Sequence, residues 1–120
     1  NKKSNLYPQD EKIRFYHLNG INLDNIPSSS TDVVFSIDTL VRLERKIIKR
    51  YLLDLIRIVR PNGYFTLHVP SILHYNSLVM DYSNISPYFY KRILHKQCHF
   101  LTFNNQMHQT SSFLICQIKK

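Results

Sequence analysis

The chain has 120 residues, of which 43% are hydrophobic and 20% charged. This composition excludes an intrinsically disordered chain and allows a single small core. Sixteen basic against eight acidic residues give a net charge of +8, which favours binding to phosphates or anionic surfaces without specifying a partner. A general basic bias in the proteins of the source organism would explain the same charge without any such binding. Every apolar run is far shorter than the roughly 20 residues that cross a bilayer, which excludes a transmembrane helix.

The ends and the cysteines indicate the setting of the chain. It opens at Asn1 without an initiator methionine and without the pattern of a signal peptide. We therefore expect a piece of a longer protein, with residues 1–12 as a connecting segment. Cys98 and Cys116 are too few for a disulfide framework or a four-ligand zinc site, so no metal is predicted. A reducing, cytoplasmic location fits them best.

Two strands are predicted in the first third of the chain. Residues 13–18 alternate aromatic or β-branched side chains with polar ones, which predicts a strand that ends at the Asn19-Gly20 turn. A polar loop with Pro27 follows. Residues 32–37 contain an apolar run without polar–apolar alternation, which predicts a strand buried on both faces, as in a parallel sheet.

The clearest helical pattern covers residues 40–60, where apolar residues recur at steps of three and four. Arg50 and Asp54 are spaced for an ion pair. The basic face of this helix is either solvated or a binding surface for anions. Pro61 ends the helix, and Asn62 and Gly63 permit a tight exit into a strand over residues 64–69.

In the last third of the chain, the sequence pattern predicts an irregular loop over residues 71–84 and a helix over residues 86–95. It also predicts strands over residues 98–103 and 112–118. The short connection over residues 104–109 implies that these last strands are antiparallel. The strand–helix–strand unit before them implies parallel neighbours. The predicted fold is therefore an α/β sheet that is mostly parallel and ends in an antiparallel strand pair.

Residues 15–69 resemble the class I, Rossmann-like S-adenosylmethionine-dependent methyltransferases of the small-molecule type. Residues 17–23 resemble the strand end and loop that cup the adenine, and residues 30–36 resemble the segment of small residue, aromatic, Asp, two apolar residues and Ser. Residues 36–43 and 57–64 are similar to the stretches that follow, the latter to the family's Arg-Val-Leu-Lys-Pro-Gly-Gly turn. The order and spacing of these segments carry the resemblance.

The resemblance implies an enzyme that transfers a methyl group from S-adenosylmethionine to an oxygen or nitrogen acceptor, with a small molecule as the expected acceptor. The cofactor-binding residues that it implies are Asn19, Gly20, Ser36 and Ile37. The glycine-rich loop and the ribose-binding acid of the family have no counterpart here. We therefore expect one partial domain over residues 1–120, whose amino-terminal cofactor-binding half lies upstream and whose sheet has apolar edges exposed without it.

Two side chains are candidates for the chemistry. Asp38 follows the buried strand and is placed for a base or substrate-binding role, or for capping a helix. His68 is at the end of the next strand, where α/β sheets place functional groups, although a histidine in this position is more often packed or on the surface. His74, Tyr75 and Tyr82 lie in the loop that follows and are candidates for an acceptor pocket.

A second hypothesis assigns no catalysis to the chain. The basic helix over residues 42–60 is then the surface of an α/β module that binds nucleic acid or an anionic partner. No recognition motif for nucleic acid supports this reading, which depends on charge alone.

Overall fold

The computed structural model describes residues 12–70, 85–108 and 111–119. Four strands form one sheet: β1 (Thr31–Ser36), β2 (Val59–Pro70), β3 (Cys98–His108) and β4 (Ser111–Ile118). Their order is β1-β2-β4-β3, with β1 parallel to β2 and the other two pairs antiparallel. The α/β class, the parallel strand–helix–strand unit and the terminal antiparallel pair are thereby confirmed.

Two helices cover one face of this sheet. Helix α1 (Arg45–Ile58) joins β1 to β2, and helix α2 (Pro87–Leu94) precedes β3. Ser86 caps α2 by accepting a hydrogen bond from the Tyr88 N–H, and Pro87 opens its first turn, which confirms the prediction for that helix. The core lies between the helices and the sheet and consists of Leu40, Ile48, Leu52, Leu55, Ile58, Val59, Phe65, Leu67, Val69, Ile85, Tyr90, Leu94, Cys98, Leu114, Cys116 and Ile118.

The helix predicted over residues 40–60 is shorter than its periodicity suggests. Leu40–Arg42 form a separate 3-10 turn, and the α-helix begins only after the extended residue Glu44. The chain leaves the helix at Val59, which already pairs with Thr31 of β1. Strand pairing and the following Pro61, which disfavours a helical Arg60, explain the early end.

The β1–β2 crossing requires a glycine at position 63. A Cβ there would lie 2.6 Å from the Val59 side chain and 2.7 Å from the Asp32 carbonyl oxygen. The preceding Asn62 takes a left-handed backbone with φ of 67°. The predicted Asn62-Gly63 exit is therefore confirmed, and it lies within β2 as a bulge against β1 rather than before the strand.

Two strand predictions are wrong. Residues 13–18 form no strand, because no neighbouring strand among the described residues pairs with them. Strand β1 is not buried on both faces, since Val33 and Phe35 are 59% and 76% exposed. Among the described residues it has a partner strand on one side only, and neither α1 nor α2 covers the face that carries these two side chains.

The terminal strands extend beyond their predicted bounds. β3 continues to His108, through most of the predicted connection over residues 104–109, with a register shift against β4 that absorbs the added length. Other predictions concern the loop over residues 71–84, including His74, Tyr75 and Tyr82, and the connecting segment before Lys12; they lie outside the described residues.

Candidate functional site

The two predicted catalytic residues meet at the carboxyl end of the parallel strand pair. β1 ends at Ser36, which pairs with Leu67, so His68 lies one residue beyond this pair on β2. The His68 Nδ1 accepts a hydrogen bond from the Asp38 backbone N–H at 3.1 Å, and the Asp38 carboxylate lies 3.4 Å from the same nitrogen. Residues 30 positions apart thus form one pair.

Asp38 occupies a left-handed backbone conformation, with φ of 58°, which Asp tolerates better than most residues. The turn is fixed further by the Thr39 hydroxyl, which donates to the Ile37 carbonyl at 3.2 Å. A strained residue held at a strand end is a frequent feature of functional sites. The turn presents the Asp38 side chain to solvent, where it is 76% exposed.

His68 differs from Asp38 in its surroundings. Its side chain is only 4% exposed, and its ring stacks on Phe113 of β4 at a centroid distance of 5.2 Å. Asp38 offers this imidazole both a donor, the backbone N–H, and an acceptor, the carboxylate, so Nδ1 is matched in either neutral tautomer. The histidine is therefore a buried support for the Asp38 turn.

The predicted cofactor-binding residues fall into two groups. Ser36 and Ile37 adjoin the Asp38–His68 pair, and the Ile37 side chain is exposed. Asn19 and Gly20 form a separate turn, in which the Asn19 Oδ1 accepts the backbone N–H groups of Ile21 and Asn22. Among the described residues, no hydrogen bond or ion pair joins this turn to Ser36 or Ile37.

The residues at the strand end offer groups of the kind that an adenosine moiety binds. Ile37 offers an exposed apolar surface for an aromatic ring, and Ser36 and Asp38 offer polar atoms for hydroxyl or amino groups. The Asn19 carbonyl, in contrast, is engaged by its own turn. Groups that would hold the rest of the cofactor are not found among the described residues next to this edge.

A polar clamp on α1 was not foreseen from the sequence. Buried Asp54 accepts the Leu23 backbone N–H at 2.8 Å, and Arg57 donates to the carbonyl oxygens of Leu23 and Ile26. The predicted Arg50–Asp54 pair is confirmed at 3.4 Å. The clamp holds the loop around residues 19–28 against α1. A single sequence cannot reveal it, because its partners are about 30 residues apart.

The environment of both cysteines disfavours the thiolate, which is the reactive form. Cys98 and Cys116 are buried free thiols, and burial raises the pKa of Cys98 to about 11 and that of Cys116 further. Within the described ranges, no group of three or more His, Cys, Asp or Glu side chains is arranged to hold a metal ion. The helices in those ranges include none that is long and apolar enough to cross a membrane.

The comparisons with known proteins place the fold. The chain is similar in structure to the PH0226 protein from Pyrococcus horikoshii OT3, with a TM-score of 0.70 and 11% sequence identity over 98% of this chain and 64% of that one. It is also similar to a structure of a candidate methyltransferase in complex with the Haloferax volcanii Trm112 methyltransferase activator, with a TM-score of 0.66 and 12% identity over 99% of this chain and 67% of that one. The fold is methyltransferase-like.

These similarities concern structure and not sequence. No protein-family model matches the chain, and no curated protein matches it. The chain spans less than two thirds of the Pyrococcus protein. At 11% and 12% identity, the shared feature is the fold alone.

Proposed function

We propose that the chain is the carboxyl-terminal part of an S-adenosylmethionine-dependent methyltransferase that acts on an oxygen or nitrogen acceptor, for which a small molecule is the expected class. The observation that carries the proposal is the Asp38–His68 pair at the strand ends of a methyltransferase-like fold. The similarity in fold supports this function over a non-catalytic basic module.

The two residues have different roles in this proposal. Asp38 is the catalytic residue: its exposed carboxylate accepts the proton that an acceptor hydroxyl or amine loses. His68 is a positioning residue, because it is buried and reaches the reaction only through the Asp38 turn that it holds. S-adenosylmethionine supplies a methyl group on a positively charged sulfur, and alignment of acceptor and methyl group provides much of the rate.

Ile37 and Ser36 form the cofactor side of the proposed site. The exposed Ile37 side chain would pack against the adenine, and the Ser36 backbone and hydroxyl at the end of β1 would lie beside it. Asn19 and Gly20 remain proposed contacts of the adenine, and the Asn19 amide NH₂ is the group best placed to make one, since its carbonyl oxygen is already bonded.

We also propose that a segment upstream of Asn1 completes the domain by covering the free edge and outer face of β1. Three observations support this: the exposure of Val33 and Phe35, the lack of a second partner strand for β1 among the described residues, and the greater length of the Pyrococcus protein. A buried sheet with helices on both faces is the usual arrangement of such α/β folds.

Cofactor binding is tested by titrating S-adenosylmethionine into the intact protein. Ile37→Asp is expected to weaken binding about tenfold or more, because it places a charge against the adenine face. Leu101→Asp is the matched control, since Leu101 is similarly exposed, at 54% against 58%, on the opposite outer strand. Equal effects of both variants, or no binding by the parent protein, would overturn the cofactor assignment.

The catalytic roles are tested by release of S-adenosylhomocysteine with a panel of hydroxyl and amine acceptors. Asp38→Asn retains a residue that tolerates the left-handed turn, and it is expected to lower kcat about 10² to 10⁴-fold. His68→Gln keeps an acceptor for the Asp38 N–H and should retain more turnover than His68→Phe, with the cofactor KM unchanged in both. An unchanged kcat in Asp38→Asn contradicts the proposal. His95→Gln is the control for the histidine variants, because His95 is at an exposed site.

A further inference from the structure

A groove between the two helices gathers positive charge on a surface that does not include Asp38 or His68. It has a volume of about 630 Å³ and is lined by Arg45, Lys49, Leu53, Ser86, Tyr88, Phe89, Arg92 and Ile93. Three of these residues are cationic and none is acidic. The groove therefore presents a positive potential to a ligand, focused between two walls.

The basic residues on α1, at the start of β2 and on α2 divide into two sets in the structure. Arg50 and Arg57 take part in the polar clamp, and Arg60 pairs with Asp32 at 2.9 Å. Lys49 and Arg92, in contrast, have no ion pair with any described carboxylate. Their charges are not needed to hold the fold together, so they are available to a ligand.

The groove also carries aromatic rings. Tyr88 is 67% exposed, and the Phe89 ring lies under the Arg45 guanidinium at 5.6 Å from its centroid. An exposed ring beside cationic side chains is the combination by which proteins bind single-stranded nucleic acids, because the cations contact phosphates while bases stack on the ring. An acidic peptide would use the cations and leave the exposed ring without a role.

The position of the groove relates it to the sheet edge. α1 follows β1 through the 3-10 turn, and α2 is tied to the end of β2 by the Tyr90 hydroxyl, which donates to the Pro70 carbonyl. The amino-terminal turns that carry Arg45 and Tyr88 therefore lie toward the edge at which β1 and β2 end.

We propose that this groove binds single-stranded nucleic acid, with Lys49 and Arg92 on phosphates and Tyr88 stacked on a base. The inference does not rest on methyl transfer, because it concerns a surface other than the Asp38–His68 pair and is measured without a cofactor. Its failure would leave the proposed enzymatic function unchanged.

The test is the fluorescence anisotropy of a labelled oligothymidylate of about 15 nucleotides, near the upper site size of such grooves. The double variant Lys49→Gln/Arg92→Gln is expected to lower affinity about tenfold and to reduce the slope of log affinity against log salt by about 1.4. The matched control, Lys46→Gln/Lys91→Gln, removes the same charge from the same two helices outside the groove and should change both quantities far less.

Stacking is tested separately with Tyr88→Ala. This variant should lower affinity about tenfold for the oligothymidylate and not for an abasic strand of equal length. Equal losses of affinity in the two double variants would mean that binding depends only on net charge, which would overturn the proposal. Displacement of the strand by polyglutamate at equal charge concentration would assign the groove to an acidic protein partner instead, and the absence of any binding would also overturn it.

Discussion

The two faces of the sheet differ in what they contribute. On the helix-covered face, Phe65, Leu67 and Leu114 are buried against α1 and α2. On the other face, Val33 and Phe35 are exposed, and His68 stacks on Phe113 at the end where Asp38 turns toward it. The helix-covered face carries the hydrophobic core, whose burial stabilises the fold. The other face carries the polar pair of the candidate site. Substitutions on the two faces should therefore have separable effects.

The largest expected effect is on the covered face. Leu52→Ala removes a fully buried side chain of α1 and should lower the free energy of unfolding by about 2 to 5 kcal/mol, because a cavity remains in the core. Leu53→Ala, one residue along the same helix at a side chain that is 46% exposed, should cost about 0.5 kcal/mol or less. Urea unfolding measures both values. Similar costs would mean that α1 does not pack on this face.

A smaller effect of the covered face depends on pH. Burial raises the pKa of Cys98 from 9.0 to about 11, so the unfolded chain loses this thiol proton at a lower pH than the folded one. The stability that the buried thiol contributes is fully present below pH 9 and is lost as the pH rises toward 11. For each such thiol, the free energy of unfolding falls by up to about 1.4 kcal/mol per pH unit in this range.

Cys98→Ala isolates this contribution. Unfolding measured across the same pH range should show a shallower decrease in the variant, although its stability at neutral pH is also lower because of the lost packing. The buried Cys116, whose pKa is raised as well, continues to contribute in both proteins. A decrease of equal steepness in the variant would exclude Cys98 as a source.

The smallest effect on stability is expected at Phe35, on the face of β1 that neither α1 nor α2 covers. Phe35→Ser should change the free energy of unfolding by about 0.5 kcal/mol or less, because the side chain is already exposed. The 120-residue chain produced by itself should self-associate through the β1 edge, and this substitution should reduce the association seen by light scattering. Leu101→Ser on β3 is the control. A parent chain that is monodisperse and melts cooperatively would contradict the prediction.

Local patterns were reliable where local physics decides the structure. The cap at Ser86 and Pro87, the exit at Asn62 and Gly63, and the Arg50–Asp54 spacing were each readable because the interacting groups are a few residues apart. Residues 13–18 show the limit of such patterns: their alternation is typical of a strand, but a strand also needs a partner for its backbone groups, and none of the described strands provides one.

The sequence predicted the individual residues of the candidate site but not the contact between them or their burial. Asp38 and His68 were each expected at a strand end, and the parallel register of β1 and β2 brings them together. Their division into an exposed carboxylate and a buried support could not be read from the sequence, because burial depends on Phe113 from a strand 45 positions along the chain. Arg57 belongs to the basic face of the predicted helix, which was expected to be solvated or to bind anions, and it instead holds a loop.

From residue 31 onward, the sequence by itself determined the order of helices and strands, the parallel crossover and the terminal antiparallel pair, since hydrophobic period, turn residues and connection length are local properties. The tertiary structure alone decided which sheet face is covered, which basic residues are engaged, and that Asp38 meets His68. These depend on contacts between residues far apart in the chain, whose free energy appears only once the backbone has been brought into register.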